Sequence, residues 1–245
     1  MYQYGSYTYS KCVIEEHPEE IVARLRTAET PGRDGGMTQG GVLGMRRVTL
    51  SGILIPLPAD DLEALWDAFK AAHAPGLPRQ LVVGVADRYV LAEVESAHDV
   101  NAANYPSSRP FEVTFLVANP PLWLASTADT TPLGTTGDDV ILGGTAPVPP
   151  QISVVMDSFP LASTLVLTNT ETGEALALEG DGATLEFLID CDTKQITDPG
   201  GADRTGLWSA GRFWRLAPGT STLTVSAAGG AVVDSVEITV RERWY

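Results

Sequence analysis

The sequence predicts a mainly β chain of two domains, the first with one helix among its strands and the second a β-sandwich. Three observations carry this: strict apolar alternation in segments such as Phe111–Val117, a single stretch of helical spacing after Asp60, and a fall in apolar content from Leu124 to Pro150 that divides the 245 residues in two. The expected domains are residues 1–126 and 127–245, with a linker over about 125–137.

In the first half, Phe111, Val113, Phe115 and Val117 alternate with Glu112, Thr114 and Leu116, so one strand face is buried. Leu81, Val83 and Val85 repeat the pattern. Arg46–Leu57 is a third strand, with Val48 and Leu50 on one face and Arg47, Thr49 and Ser51 on the other. A change of phase at Gly52 into Ile53 and Ile55 predicts a bulge or a close backbone approach. The helix is predicted to start at an Asp60 cap, with Glu63 completing a capping-box pattern. Leu62, Leu65, Trp66 and Phe69 share one face, and His73–Gly76 ends it. Trp66 and Phe69 are expected to pack against the sheet.

The second half reads as eight short strands separated by turn residues and no helix: Ile152–Met156, Thr164–Thr168, Ala175–Leu178, Thr184–Ile189, Gln195–Thr197, Arg212–Leu216, Thr222–Ser226 and Val232–Val240. That spacing predicts a jelly-roll sandwich.

Pro31–Gly44 (PGRDGGMTQGGVLG) contains six glycines and no apolar period, so it is expected as a long loop that does not pack on its own domain. It lacks the GxxxxGK[ST] pattern and leads into a strand rather than a helix, which argues against a phosphate-binding loop. Gly32, Arg33, Asp34, Gly35, Gly36, Gly40 and Gly41, with Arg46 and Arg47 beyond them, are the candidate subunit-interface residues. The segment is expected to reach a neighbouring subunit as a hairpin or belt that pairs along a sheet edge.

Charge and motif content exclude more than they identify. A formal charge of −15 repels phosphate backbones and predicts no stable nucleic-acid binding. No run approaches the roughly 18 apolar residues that cross a bilayer, and the N-terminus is polar and Tyr-rich. The expectation is a soluble chain made in the cytoplasm, without membrane insertion. Cys12 and Cys191 fall in different domains and read as small buried hydrophobes. His17, His73 and His98 form no metal-ligand spacing, and no GxSxG elbow is present, so no enzyme, cofactor or metal is predicted. Asp181, Asp190, Asp192, Asp198 and Asp203 match no calcium loop and read as turn formers. Of the 16 basic residues only Lys11, Lys70 and Lys194 are lysines, a bias towards planar interface contacts. The rival reading is a carbohydrate-binding module with Trp208, Trp214 and Trp244 as a stacking platform.

An ordered set of runs resembles the siphophage distal tail proteins. In the first domain these are GRDGG (Gly32–Gly36), RRVTLSG (Arg46–Gly52), FEVTFL (Phe111–Leu116) and NPPLW (Asn119–Trp123). In the second they are LTNTETGE (Leu167–Glu174), FLIDCDTK (Phe187–Lys194), FWRLAPGTS (Phe213–Ser221) and RERW (Arg241–Trp244). The resemblance spans nearly the whole chain. It implies a tail-tube-like N-terminal sandwich and a galectin-like C-terminal sandwich, assembled as a homo-hexameric ring at the virion's tail tip. Implied partners are the tail tube protein and tape measure protein above and the tail hub or tail-associated protein below. Some relatives carry a large arm in the second domain, for which this chain has no room. That domain also has no histidine and no HxNxR sugar-contact set, so the resemblance favours a structural adaptor over a lectin.

Overall fold

A strand with one buried face needs partners on its edges and a second layer over that face, and both units of this chain meet these needs with antiparallel strands. The computed structural model describes residues 1–29, 36–58, 60–100, 107–117, 122–134 and 136–245, with the backbone alone at 16, 20–29 and 36–44. The chain divides into two compact units, Met1–Leu124 and Ala125–Tyr245.

The first unit contains β1 (Tyr2–Tyr4), β2 (Tyr7–Thr8), β3 (Cys12–Glu16), β4 (Glu19–Glu29), β5 (Gly36–Leu54), α1 (Leu62–Ala72), β6 (Arg79–Val83), β7 (Arg88–Asp99) and β8 (Arg109–Val117), with β9 (Trp123–Ala125) at its end. The order is β2-β1-β6-β7-β8-β5-β3, and β4 lies along β5. β7 pairs β6 over Val90–Ala92 and β8 from Glu93 onwards, shifting register between Val94 and Ser96. The sheet curls as a result, and the Tyr4 ring on β1 comes within 4.8 Å of Phe115 on β8. Val48, Leu50, Leu81, Val90, Val113 and Phe115 fill the space between, and α1 adds Trp66 and Phe69, whose ring lies 4.8 Å from Phe111.

Several sequence expectations change here. The helix cap is Asp61, which accepts from the Glu63 amide at 3.0 Å. Asp60 instead accepts from the Leu57 amide and pairs with Lys11 at 2.7 Å. β6 stops at Val83, because Gly84 takes φ +72° and turns Val85 out to solvent. From Arg46 to Leu54 β5 keeps one phase: Arg46, Val48, Leu50, Gly52 and Leu54 all face inwards. The irregularity lies in β3, whose register shifts between Ile14 and Glu16 opposite Gly52 and Ser51. The close approach at Gly52 is real, since a Cβ there would sit well inside contact of the Val13 carbonyl oxygen and 3.1 Å from the Ile14 Cα.

The Gly-rich run is the largest correction. From Gly36 to Gly44 it is strand, paired with β4 from Glu29↔Gly36 to Leu25↔Gly41 and Ala23↔Leu43. Two register shifts each insert one extra residue into β5, around Gly40 and around Gly44. Glycine tolerates the unusual backbone of such bulges, which explains the glycines without a loop.

The second unit contains β10 (Asp129–Pro132), β11 (Asp138–Leu142), β12 (Gln151–Ser158), β13 (Thr164–Asn169), β14 (Glu174–Glu179), β15 (Glu186–Asp190), β16 (Gln195–Thr197), β17 (Trp208–Gly211), β18 (Gly219–Ala228), β19 (Val232–Val240) and β20 (Arg243–Trp244). Sheets β10-β19-β12-β15-β16 and β11-β18-β13-β14-β17 face each other as a sandwich. Ile152, Val154, Phe187, Ile189, Val236 and Ile238 on one meet Leu165, Leu167, Leu176, Leu178, Leu223 and Val225 on the other. Each such side chain contributes about 2 kcal/mol of burial, so the alternation along these strands is also the stabilising pattern. The expected linker is partly strand: β10 pairs β19 from Asp129↔Val240 to Pro132↔Glu237. Arg212–Leu216 lies outside the ladder, with β17 preceding it. Its alternation is genuine, because Trp214 and Leu216 are buried and Leu216 makes a two-bond bridge with Val148. A 3-10 turn, Thr205–Leu207, is a helical element that the sequence does not predict.

Gly52→Ala is expected to destabilise the chain by about 3 kcal/mol, because backbone on β3 must move to admit the methyl group. Gly206→Ala, with no atom within 4 Å of the added carbon and no positive φ, serves as the neutral control. Urea unfolding of both variants checks this; equal midpoints would refute the reading of Gly52.

Candidate functional site

The candidate interface residues separate along β5. Gly32, Arg33, Asp34 and Gly35 lie outside the described residues. Gly36 and Gly41 pair with β4, and Gly40 occupies a bulge. Arg46 and Arg47 are adjacent in a strand and therefore point to opposite faces. Arg46 is only 1% exposed, in phase with Val48 and Leu50, so it belongs to the interior of its own unit and is not available to a neighbour. Its guanidinium donates to Glu19 Oε2 at 3.3 Å, an oxygen that also accepts from the Trp123 indole at 3.2 Å. Burial lowers the Arg46 pKa, and Glu19 opposes that shift. Arg47 faces outwards and grips Glu95 with a two-pronged fork, both bonds 2.9 Å. That hydrogen bonding holds the Glu95 carboxyl below its usual range. Glu19 and Glu95 were missed by the sequence reading: they stand 27 and 48 positions from their arginines, and no local spacing marks them.

Among the described residues, groups with catalytic chemistry do not converge. His17 and His98 are exposed, and His98 lies 3.5 Å from Glu112. His73 is buried in an aromatic box. Its Nδ1–H donates to the Phe69 carbonyl at 2.7 Å, which leaves Nε2 to accept from the Tyr9 hydroxyl at 2.5 Å. The Tyr4 ring stacks on it with centroids 5.6 Å apart. Both partners suit a neutral imidazole, and desolvation lowers the His73 pKa to about 4. Cys12 and Cys191 are free thiols, raised by burial to about 11 and about 12. They are poor nucleophiles near neutrality.

Four of the five second-unit aspartates singled out in the sequence, Asp181, Asp190, Asp198 and Asp203, are occupied as turn acceptors. Asp181 accepts from the Thr184 hydroxyl and from the Thr184 and Ala183 amides, which hold it at about 2. Asp190 accepts from the Asp192 and Thr193 amides, Asp198 from the Gly200 and Ala202 amides and from Arg204, and Asp203 from the Thr205 amide. Asp192 pairs with Arg215 and Arg243 at 3.4 and 3.1 Å. Among the described residues no group of three His, Cys, Asp or Glu side chains is placed to hold a metal, and no helix is long and apolar enough to cross a membrane. The tryptophan platform is not assembled either: Trp214 is in the core, Trp244 is half-buried, and Trp208 is the exposed one of the three.

The buried imidazole gives the first unit an acid-labile centre. The unfolded chain takes up this proton near pH 6.5, whereas the folded chain resists it until about pH 4. Stability should be complete above about pH 6.5 and fall by roughly 3 kcal/mol as the pH drops to 4. Asp181, with its lowered pKa, contributes its own loss only below its usual range. Urea midpoints of the wild type and His73→Gln at pH 7 and pH 4.5 should show a steeper decline for the wild type. Parallel declines would mean that another group carries the acid sensitivity.

Comparison with curated proteins finds no match. Residues 143–244 match the family described as siphovirus-type tail component, C-terminal domain. The fold as a whole is similar to the crystal structure of SPP1 Dit, described as a paradigm of the hub adsorption apparatus in phages that infect Gram-positive hosts. The TM-score is 0.78 at 15% identity, over 100% of this chain and 98% of that one. The phage P2 baseplate in its activated conformation with Ca gives a TM-score of 0.47 at 10% identity, over 95% and 91% of the two chains. The likeness read from the sequence therefore holds: residues 143–244 match the C-terminal domain of the siphovirus-type tail components, and the whole chain is similar in fold to SPP1 Dit.

Proposed function

We propose that the chain is a structural connector at the distal end of a non-contractile phage-type tail, assembled as a homo-hexameric ring. Residues 1–126 act as the ring-forming part and 127–245 as the galectin-like part. The observation that carries this reading is the end-to-end likeness to SPP1 Dit, with nearly complete coverage of both chains. The tail tube and tape measure proteins lie above the ring and the hub or tail-associated protein below it, so the protein resides in the virion. The role is one of positioning, without catalysis. It is consistent with thiols held protonated, an imidazole enclosed by its own core and aspartates committed to turns.

The hairpin of β4 and β5 supplies the ring contact in this proposal. Its strands pair with each other along Glu19–Glu29, so adhesion to a neighbour uses the edge of the pair that is free among the described residues. Light scattering coupled to size exclusion should give a hexamer for the wild type and a folded monomer after deletion of residues 34–41. A deletion variant that still forms rings would remove the hairpin from the interface.

A ring on the DNA exit path must let the duplex slide. DNA carries one negative charge per about 1.7 Å of axis, so a basic lumen would retain it. The formal charge of −15 fits an inner wall that is net acidic. The assembled protein should give no mobility shift with double-stranded DNA at low salt, and salt-sensitive retention would contradict the acidic lumen.

A further inference from the structure

At one end of the second unit, loops after β12, β14 and β16 enclose two adjoining depressions of about 430 and 440 Å3 that share Arg204. The first lies between Leu161, 77% exposed, and the Trp208 indole, 43% exposed. Its floor is fixed. Gly180 has no room for a Cβ against the Pro160 and Phe159 carbonyl oxygens, and Ala162 in the facing loop is held at φ 60°. The rim carries Glu179, Asp181 and Asp203.

The polar groups of this rim offer charge but little spare hydrogen bonding. Asp181 already accepts three bonds from Ala183 and Thr184, Asp203 accepts from the Thr205 amide, and Arg204 is spent on Asp198 through two donors. A saccharide is oriented by free donors and acceptors that read its hydroxyls, and such groups are scarce here. A cation needs only the field of the carboxylates and the face of an indole. An exposed Leu opposite an exposed Trp further suits an apolar side chain held between them.

We propose that this groove is a docking site for a protein segment that presents an arginine or lysine beside an apolar residue. The cation sits over Trp208 within reach of Glu179 and Asp203, and the apolar side chain packs between Leu161 and the indole. The site stands on the second unit alone and holds whether or not the chain forms a ring.

The test uses the full-length protein and two fluorescein-labelled hexapeptides, one with paired arginines flanked by leucines, the other with glutamates replacing the arginines. The arginine peptide should bind, shift the Trp208 indole N–H resonance and lose about tenfold in affinity with Trp208→Ala. Glu179→Gln should weaken binding severalfold and flatten its salt dependence. Glu237→Gln, an equal charge change on the exposed face of β19, should leave it unchanged. Should Trp208→Ala disturb folding, the charge reversal Glu179→Lys gives the same reading. Equal losses in the Glu179 and Glu237 variants, with the indole resonance unmoved, would reduce the binding to diffuse attraction and overturn the site. Binding of the glutamate peptide, or an indole shift with chito-oligosaccharides but not with the arginine peptide, would overturn it as well.

Discussion

A β-strand has two hydrogen-bonding edges, and the first unit depends on one strand that fills both. Along Arg46–Leu54, one edge of β5 takes the whole of β8. The other takes β4 up to Val48 and β3 from Ser51 onwards. The change of partner requires β3 to come close just where Gly52 has no side chain. With both edges committed, a one-residue slip would bring Arg47, Thr49 and Ser51 into the interior in place of Val48, Leu50 and Gly52. Register, curl and the seat for α1 all follow from that strand.

Polar groups inside this unit are tolerated to different degrees. The His73 ring is enclosed at little cost, because both nitrogens have partners that require the uncharged form. Arg46 is more expensive: its Nε has no hydrogen-bond partner, and its bond to Glu19 is long. Removing a guanidinium from water is only partly offset by one such pair. The Arg46 side chain faces inwards because strand period leaves it no alternative between the β8 pairing on one side and Val48 in the next inward position.

Legibility in the sequence followed the local nature of each signal. Phe111–Val117, Ile152–Met156 and Thr164–Thr168 were readable because one face is buried and the other is not. β10 was hidden because an edge strand of Asp, Thr and Pro has no buried face to produce a pattern. The glycines of β5 read as a loop because bulges and loops use the same residue, and only cross-strand register separates them. Arg46 and Arg47 looked alike on paper, yet the period of two sends one inside. The partners Glu19 and Glu95, and the placing of Leu161 and Trp208 on one groove, depend on long-range pairing that no spacing encodes. The family likeness fared better, since an ordered series of runs carries information that each strand alone lacks.

The acidity of the chain has a structural origin as well as an electrostatic consequence. Asp61, Asp181, Asp190, Asp198 and Asp203 each accept backbone amide hydrogens at turns or at a helix start. Serine or asparagine can perform part of that work without charge, but a carboxylate accepts more strongly, and at Asp181, Asp198 and Asp203 the hydrogen bonds lower the pKa. A protein with many tight turns thus accumulates negative charge at the ends of its strands, where the loops are. The aspartates bound into turns keep their charge while losing free lone pairs, so loop surfaces built from them attract cations without reading hydroxyls. That difference separates a groove suited to a basic protein segment from one suited to a sugar.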